Sequence, residues 1–125
     1  MNSRDIENRA DIESLVHEFY GQATKDELIG HFFTEVMSLN WDTHIPLICD
    51  FWETILLNRI VYKGNPMLKH LELHKRSSLL PSHFERWLTL WKTTVNSHYS
   101  GPTAQMAVDR ATQIAELMKF KVQQL

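Results

Sequence analysis

Apolar residues recur at intervals of three and four along most of the chain, and this spacing predicts amphipathic α-helices. In the first predicted helix, at 11–24, the apolar positions are Ile12, Leu15, Val16, Phe19 and Tyr20. The pattern resumes at 28–37, as a continuation of that helix or as a second one. No run alternates between apolar and polar residues as a half-buried strand would. The sequence therefore predicts an all-α fold.

Three further helices are predicted downstream, each with its own start or stop signal. One begins at Trp41 and fades near Arg59. The next opens at Ser82, which stands three residues before Glu85 as in a capping box. The last follows a break at Gly101.

Between the third and fourth predicted helices lies a short apolar segment around one histidine. Gly64 and Pro66 end what precedes it, because glycine tolerates positive φ and proline lacks an amide donor. The apolar residues after them can cover one side of a two-turn helix, which places His70 beside an apolar wall. Such an imidazole can hold a haem iron. A lone histidine near apolar residues is more often a packed or surface residue, so both interpretations stay open on this segment alone.

Length and charge limit the classes of function. With 125 residues we expect one domain spanning 1–125, in which residues 1–10 form a flexible N-terminal extension. The 13 basic and 15 acidic residues give a formal charge of -2, so no nucleic-acid or anionic membrane partner is expected. Cys49 is the single cysteine, which excludes an internal disulfide. The polar N-terminus shows no signal peptide, and we expect a cytoplasmic protein, as a monomer or weak dimer.

Two polar side chains are predicted to point inward. Tyr20 ends the apolar stripe of the first helix, so its hydroxyl needs a partner, either a backbone carbonyl or a bound molecule. His44 lies four residues before Ile48 and eight before Trp52, which places it on the inward face of its helix.

Six segments, taken together, resemble the pattern of the truncated haemoglobins, most closely their third group. These segments are Phe19-Tyr20, Trp41-Asp42-Thr43-His44, Phe51-Trp52, Tyr62-Lys63-Gly64, Leu68-Lys69-His70-Leu71 and Phe84-Glu85-Arg86-Trp87-Leu88. The resemblance extends in order from about residue 12 to about residue 118. It implies a two-over-two helical sandwich around non-covalently bound haem b.

The resemblance also implies roles for individual residues. His70 matches the iron ligand, while Tyr20, Trp87 and His44 match positions on the distal, ligand-binding side. The remaining matches concern the cofactor itself. We expect the haem to be contacted by Phe33, Trp52, Tyr62, Leu71 and Arg76, with Tyr62 and the basic loop containing Arg76 near its propionates.

The function that the resemblance implies is binding of O2, CO, NO or similar ligands at a His-ligated iron. A distal Tyr/Trp cage would slow release, which favours ligand scavenging or redox chemistry over O2 storage. The alternative is an enzyme with nitric oxide dioxygenase or peroxidase-like activity, which needs an external reductase.

Two other classes of protein remain as hypotheses. A zinc site could use His70 and His74, which stand four residues apart on one helical face. A haem-free helical interaction domain is the other. A visible spectrum separates both from the haem hypothesis.

Overall fold

The structure, a computed structural model, describes residues 4–36, 41–62 and 79–123. Its regular elements, all helical, are α1 (Arg9–Ala23), a π-helical turn (Phe32–Val36), α2 (Trp41–Leu56), α3 (Pro81–His98) and α4 (Pro102–Val122). Since these ranges contain no strand, the predicted all-α class is confirmed. Among the described helices, none is both long and apolar enough to cross a lipid bilayer.

The four α-helices form two pairs that pack on each other. The α1 helix packs against α2, and α3 packs against α4. Contacts of α1 with α3 and of α2 with α4 join the two pairs. This is the two-over-two arrangement that the sequence resemblance implies.

Trp91 of α3 lies at the centre of the core, where it is 1% exposed. Its ring stacks on Trp52 of α2 at 4.6 Å between centroids and meets the ring of Phe19 of α1 edge-on at 5.3 Å. The indole nitrogen of Trp91 donates a hydrogen bond to the Ala107 carbonyl of α4 at 3.1 Å. One side chain therefore connects all four helices without leaving a buried donor unpaired.

The start of α3 differs from the predicted capping box. The helix begins at Pro81, so Ser82 lies inside its first turn instead of before it. The Nδ1 atom of His83 accepts the Leu80 amide at 3.0 Å, which is the bond that we expected Glu85 to provide for Ser82. Proline is well suited to the first helical position because it lacks an amide hydrogen that would have no partner there.

Residues 1–10 were expected to form a flexible extension; within them, Asp5 bonds to the start of α4, and Arg9 already belongs to α1. The carboxylate of Asp5 accepts the backbone amides of Thr103 and Ala104 at 2.9 and 2.8 Å. Ile6 is 2% exposed. The approach requires Gly101, whose φ is +139° and where a β-carbon would lie 2.5 Å from Cγ of Asp5.

A second carboxylate, that of Asp11, holds the same segment from the other side. It accepts hydrogen bonds from the Arg4 guanidinium and from the Glu7 amide, the latter at 2.8 Å. Burial alone would raise the pKa of Asp11, but the Arg4 and amide hydrogen bonds outweigh it and lower that pKa. Asp5 behaves alike: burial opposes ionisation, yet the amides of Thr103, Ala104 and Ile6 lower its pKa.

We expect acid to destabilise the fold through these two carboxylates. Their folded-state pKa values lie below the ordinary value of 3.8, so their contribution is fully present above that value and is lost as pH falls through the folded-state pKa. Asp5→Asn keeps an acceptor oxygen but removes the negative charge at the start of α4, and it should lower the free energy of unfolding by about 0.3 to 1 kcal/mol at pH 7.

Urea unfolding at pH 7 and at pH 3 measures this effect. The difference in free energy of unfolding between Asp5→Asn and the parent should be smaller at pH 3, because Asp5 of the parent is itself becoming protonated there. An equally large difference at both pH values would show that the charge of Asp5 does not stabilise the fold.

Candidate functional site

Tyr20 is in the last turn of α1, and its ring lies among other aromatic rings. Phe19 and Phe33 meet it edge-on, with centroids at 5.1 and 5.5 Å. Phe33 belongs to the π-helical turn that follows α1, so the turn places it against the end of that helix. Burial raises the pKa of the Tyr20 hydroxyl. The hydroxyl therefore keeps its proton at neutral pH and can donate a hydrogen bond.

His44, in the first turn or two of α2, points toward this hydroxyl. Its Nε2 atom lies 3.3 Å from the Tyr20 oxygen, and the two rings meet edge-on at 5.4 Å. If Nε2 carries no hydrogen, the tyrosine donates; if Nε2 is protonated, the histidine donates and the tyrosine proton is free for another acceptor. The structure thus brings together two of the predicted distal residues, from different helices.

Trp41 belongs to the same cluster, although no role in the site was predicted for it. Its ring lies 5.3 Å from Tyr20 and 5.6 Å from His44, between centroids. The signal was its position three residues before His44, because residues at that spacing share one face of a helix. We refer to Tyr20, His44, Phe33 and Trp41 as the distal cluster.

Trp87, in α3, approaches the distal cluster through Phe19. The ring of Phe19 meets Trp87 at 6.3 Å and Tyr20 at 5.1 Å, both edge-on. Trp87 is half-buried. Tyr20 and Trp87, the predicted distal tyrosine and tryptophan, therefore both contact the ring of Phe19, although they belong to different helices.

The other expected haem contacts are placed differently. Trp52 is 3% exposed and stacks on Trp91 in the core, so its contact with haem stays a prediction. Tyr62 follows α2, and its ring meets Phe51 edge-on at 5.4 Å while its amide donates to the Thr54 hydroxyl at 3.0 Å. The predicted contacts His70, Leu71 and Arg76 lie outside the described residues, as does His74.

The chemistry of the distal cluster suits a small polar ligand better than a metal ion bound by protein alone. Tyr20 and His44 supply polar hydrogens inside a wall of rings. Within 4–36, 41–62 and 79–123, no group of three or more His, Cys, Asp or Glu side chains could hold a metal ion.

Comparison with known proteins identifies the family. No protein-family model matches the chain. A curated relative does: the group 3 truncated hemoglobin ctb of Campylobacter jejuni is 31% identical over 111 residues, which cover 86% of this chain and 85% of that protein. The chain belongs to the group III truncated haemoglobins. The crystal structure of group III truncated hemoglobin from Campylobacter jejuni matches this truncated haemoglobin with a TM-score of 0.83 and 27% identity, over 97% of this chain and 95% of that one.

The structural match confirms the truncated-globin fold, and the family supports haem-based ligand binding by this truncated haemoglobin. The distal cluster fits that chemistry on its own evidence. A protonated phenol and an imidazole 3.3 Å apart, enclosed by Phe33 and Trp41, provide hydrogen bonds in a setting that is otherwise apolar. Such a setting is what the distal side of a haem needs to select among small ligands.

Proposed function

We propose that this truncated haemoglobin binds haem b non-covalently through His70 and holds O2 or similar diatomic ligands beside Tyr20, His44 and Trp87. The observation that carries the distal half of the proposal is the 3.3 Å contact between the Tyr20 hydroxyl and His44 Nε2 inside an aromatic enclosure. The assignment of His70 is supported by the family and by the sequence segments that resemble it.

Bound haem would supply an iron centre that binds a diatomic ligand. The chain's own residues decide which ligand stays. Tyr20 keeps its proton at neutral pH, so its hydroxyl donates a hydrogen bond to a ligand that carries partial negative charge. Trp87 offers an indole N–H, which can only donate. A polar ligand such as O2 gains from both donors, whereas the less polar CO gains little.

The tautomer of His44 determines whether the Tyr20 hydroxyl donates its hydrogen bond to His44 or to a ligand. When Nε2 of His44 carries no hydrogen, it accepts the hydrogen bond of the Tyr20 hydroxyl. When Nε2 carries a hydrogen and donates, the Tyr20 hydroxyl can donate to a ligand. The aromatic rings around the pair limit access of water, which would compete for the same hydrogen bonds. The site is therefore built to retain polar ligands.

Slow release suits ligand scavenging or redox chemistry better than storage of O2. Turnover, as in nitric oxide dioxygenation or a peroxidase-like reaction, would need electrons from an external reductase. Stopped-flow kinetics with and without a reductase would distinguish turnover from simple binding, because binding alone consumes no electrons.

The visible spectrum of the purified protein tests the proposal. We expect a Soret band in the protein as isolated or after one equivalent of hemin is added, with shifts on addition of CO to the reduced form. Elemental analysis should find iron in proportion to that band and no zinc. A protein that neither contains nor takes up haem would overturn the proposal.

A further inference from the structure

Trp41 takes part in two neighbouring features of the structure. It contacts the other members of the distal cluster: Tyr20 at 5.3 Å, His44 at 5.6 Å and Phe33 at 6.4 Å. It also lines a surface hollow of about 210 Å³. The hollow is completed by side chains of α1 and α2, which are Glu13, His17, Asp42, Ile45, Pro46 and Cys49. Trp41 is therefore shared by the distal cluster and this hollow.

The hollow is a solvent-facing space, because Glu13, His17 and Asp42 are exposed. Water that entered the distal cluster from there would hydrogen-bond to the Tyr20 hydroxyl. Such water would compete with any ligand for the same proton. The half-buried indole of Trp41 lines the hollow and also contacts the Tyr20 ring.

The contact between Tyr20 and His44 also depends on the position of both rings. At 3.3 Å it is long for a hydrogen bond between a hydroxyl and a ring nitrogen, so a small movement of either ring would break it. Trp41 touches both rings edge-on or nearly so, with interplanar angles of 63° to Tyr20 and 78° to His44. Edge-to-face contacts favour particular ring orientations, and here one indole sets two of them.

We propose that Trp41 is a positioning residue that fixes the Tyr20–His44 pair and separates it from the surface hollow, and so makes the site retain polar ligands over apolar ones. Trp41 donates nothing to the ligand itself and acts through Tyr20. This inference rests on the proposed function, because it concerns the same distal side.

Trp41→Ala tests the inference. It should raise the O2 dissociation rate about tenfold, which is the effect of losing one well-placed hydrogen bond. The CO dissociation rate should change less than about twofold, because CO depends little on the Tyr20 proton. Trp41→Phe keeps an aromatic ring at the position and should restore most of the O2 retention. Trp41→Leu keeps apolar volume without a flat ring and should behave like Trp41→Ala, which provides a second variant if alanine prevents folding.

A double-mutant cycle shows whether Trp41 acts through Tyr20. In a Tyr20→Phe background, Trp41→Ala should add little to the O2 dissociation rate, because the hydroxyl that it positions is already gone. Equal increases for O2 and CO, or an unchanged Trp41→Ala effect in the double variant, would overturn the inference.

The same data separate this inference from the proposed function. If Tyr20→Phe speeds O2 release and neither Trp41→Ala nor Trp41→Leu does so, the positioning role is wrong and the distal assignment stands. If Tyr20→Phe has no effect, the distal assignment fails, and the role of Trp41 fails with it.

Discussion

His70→Gly should lose most of its haem. The proposed function gives the iron one strong protein ligand, so removal of that imidazole leaves the cofactor held by apolar contacts alone. Free imidazole should enter the space left by the side chain and restore binding. Haem content per protein, measured from the Soret band after desalting with and without imidazole, records both effects.

His74→Gly is a matched control, because His74 lies four residues further along the same segment. It should keep its haem, with a spectrum like that of the parent. A zinc site built from both histidines would instead be lost in either variant. If His70→Gly keeps a normal ferrous spectrum, the assignment of the iron ligand is wrong.

Tyr20→Phe and Trp87→Phe should each raise the O2 dissociation rate by about tenfold to a hundredfold. Each variant removes a donor to a ligand that carries partial negative charge, and such hydrogen bonds contribute roughly 1.5 to 3 kcal/mol. The Tyr20→Phe change keeps the ring contacts with Phe19 and Phe33, so only the hydroxyl is lost. Stopped-flow displacement of O2 by CO gives the rates.

CO dissociation serves as the internal control for both variants. It should change far less than O2 dissociation, because bound CO accepts hydrogen bonds weakly. Parent-like O2 release in both variants would show that the Tyr/Trp cage is wrongly assigned. His44 would then be the remaining donor of the predicted set.

Helical periodicity was enough to place single residues, but not to pair them. The apolar stripe of α1 correctly predicts that Tyr20 points inward. The spacing from His44 to Trp52 correctly predicts that His44 lies on the inward face of α2. The 3.3 Å contact between Tyr20 and His44 depends on how α1 packs against α2, which periodicity within one helix does not determine. The family resemblance placed both residues on the distal side but did not predict this contact. Trp41 was overlooked because the start of a helix is more often a capping position than a binding position.

The contacts of the N-terminal segment were not predicted, for a related reason. Residues 4–10 are mostly polar and show no apolar period, so nothing local indicates that they pack. Asp5 finds its partners at Thr103 and Ala104 instead, where two amides at the start of α4 lack partners within the helix. The single buried apolar residue, Ile6, gave no signal that could be distinguished from an isolated surface residue.

The Asp5 contacts also constrain the order in which the chain can fold. Asp5 and its two partners are separated by 98 and 99 positions in a sequence of 125 residues. During synthesis on the ribosome, α1 and α2 are made long before Thr103. Asp5 therefore cannot form its bonds to α4 until the last helix has been synthesised. Contacts between residues so far apart in sequence slow folding more than they change stability. We therefore expect the N-terminal segment to dock late, after the α3–α4 pair has formed.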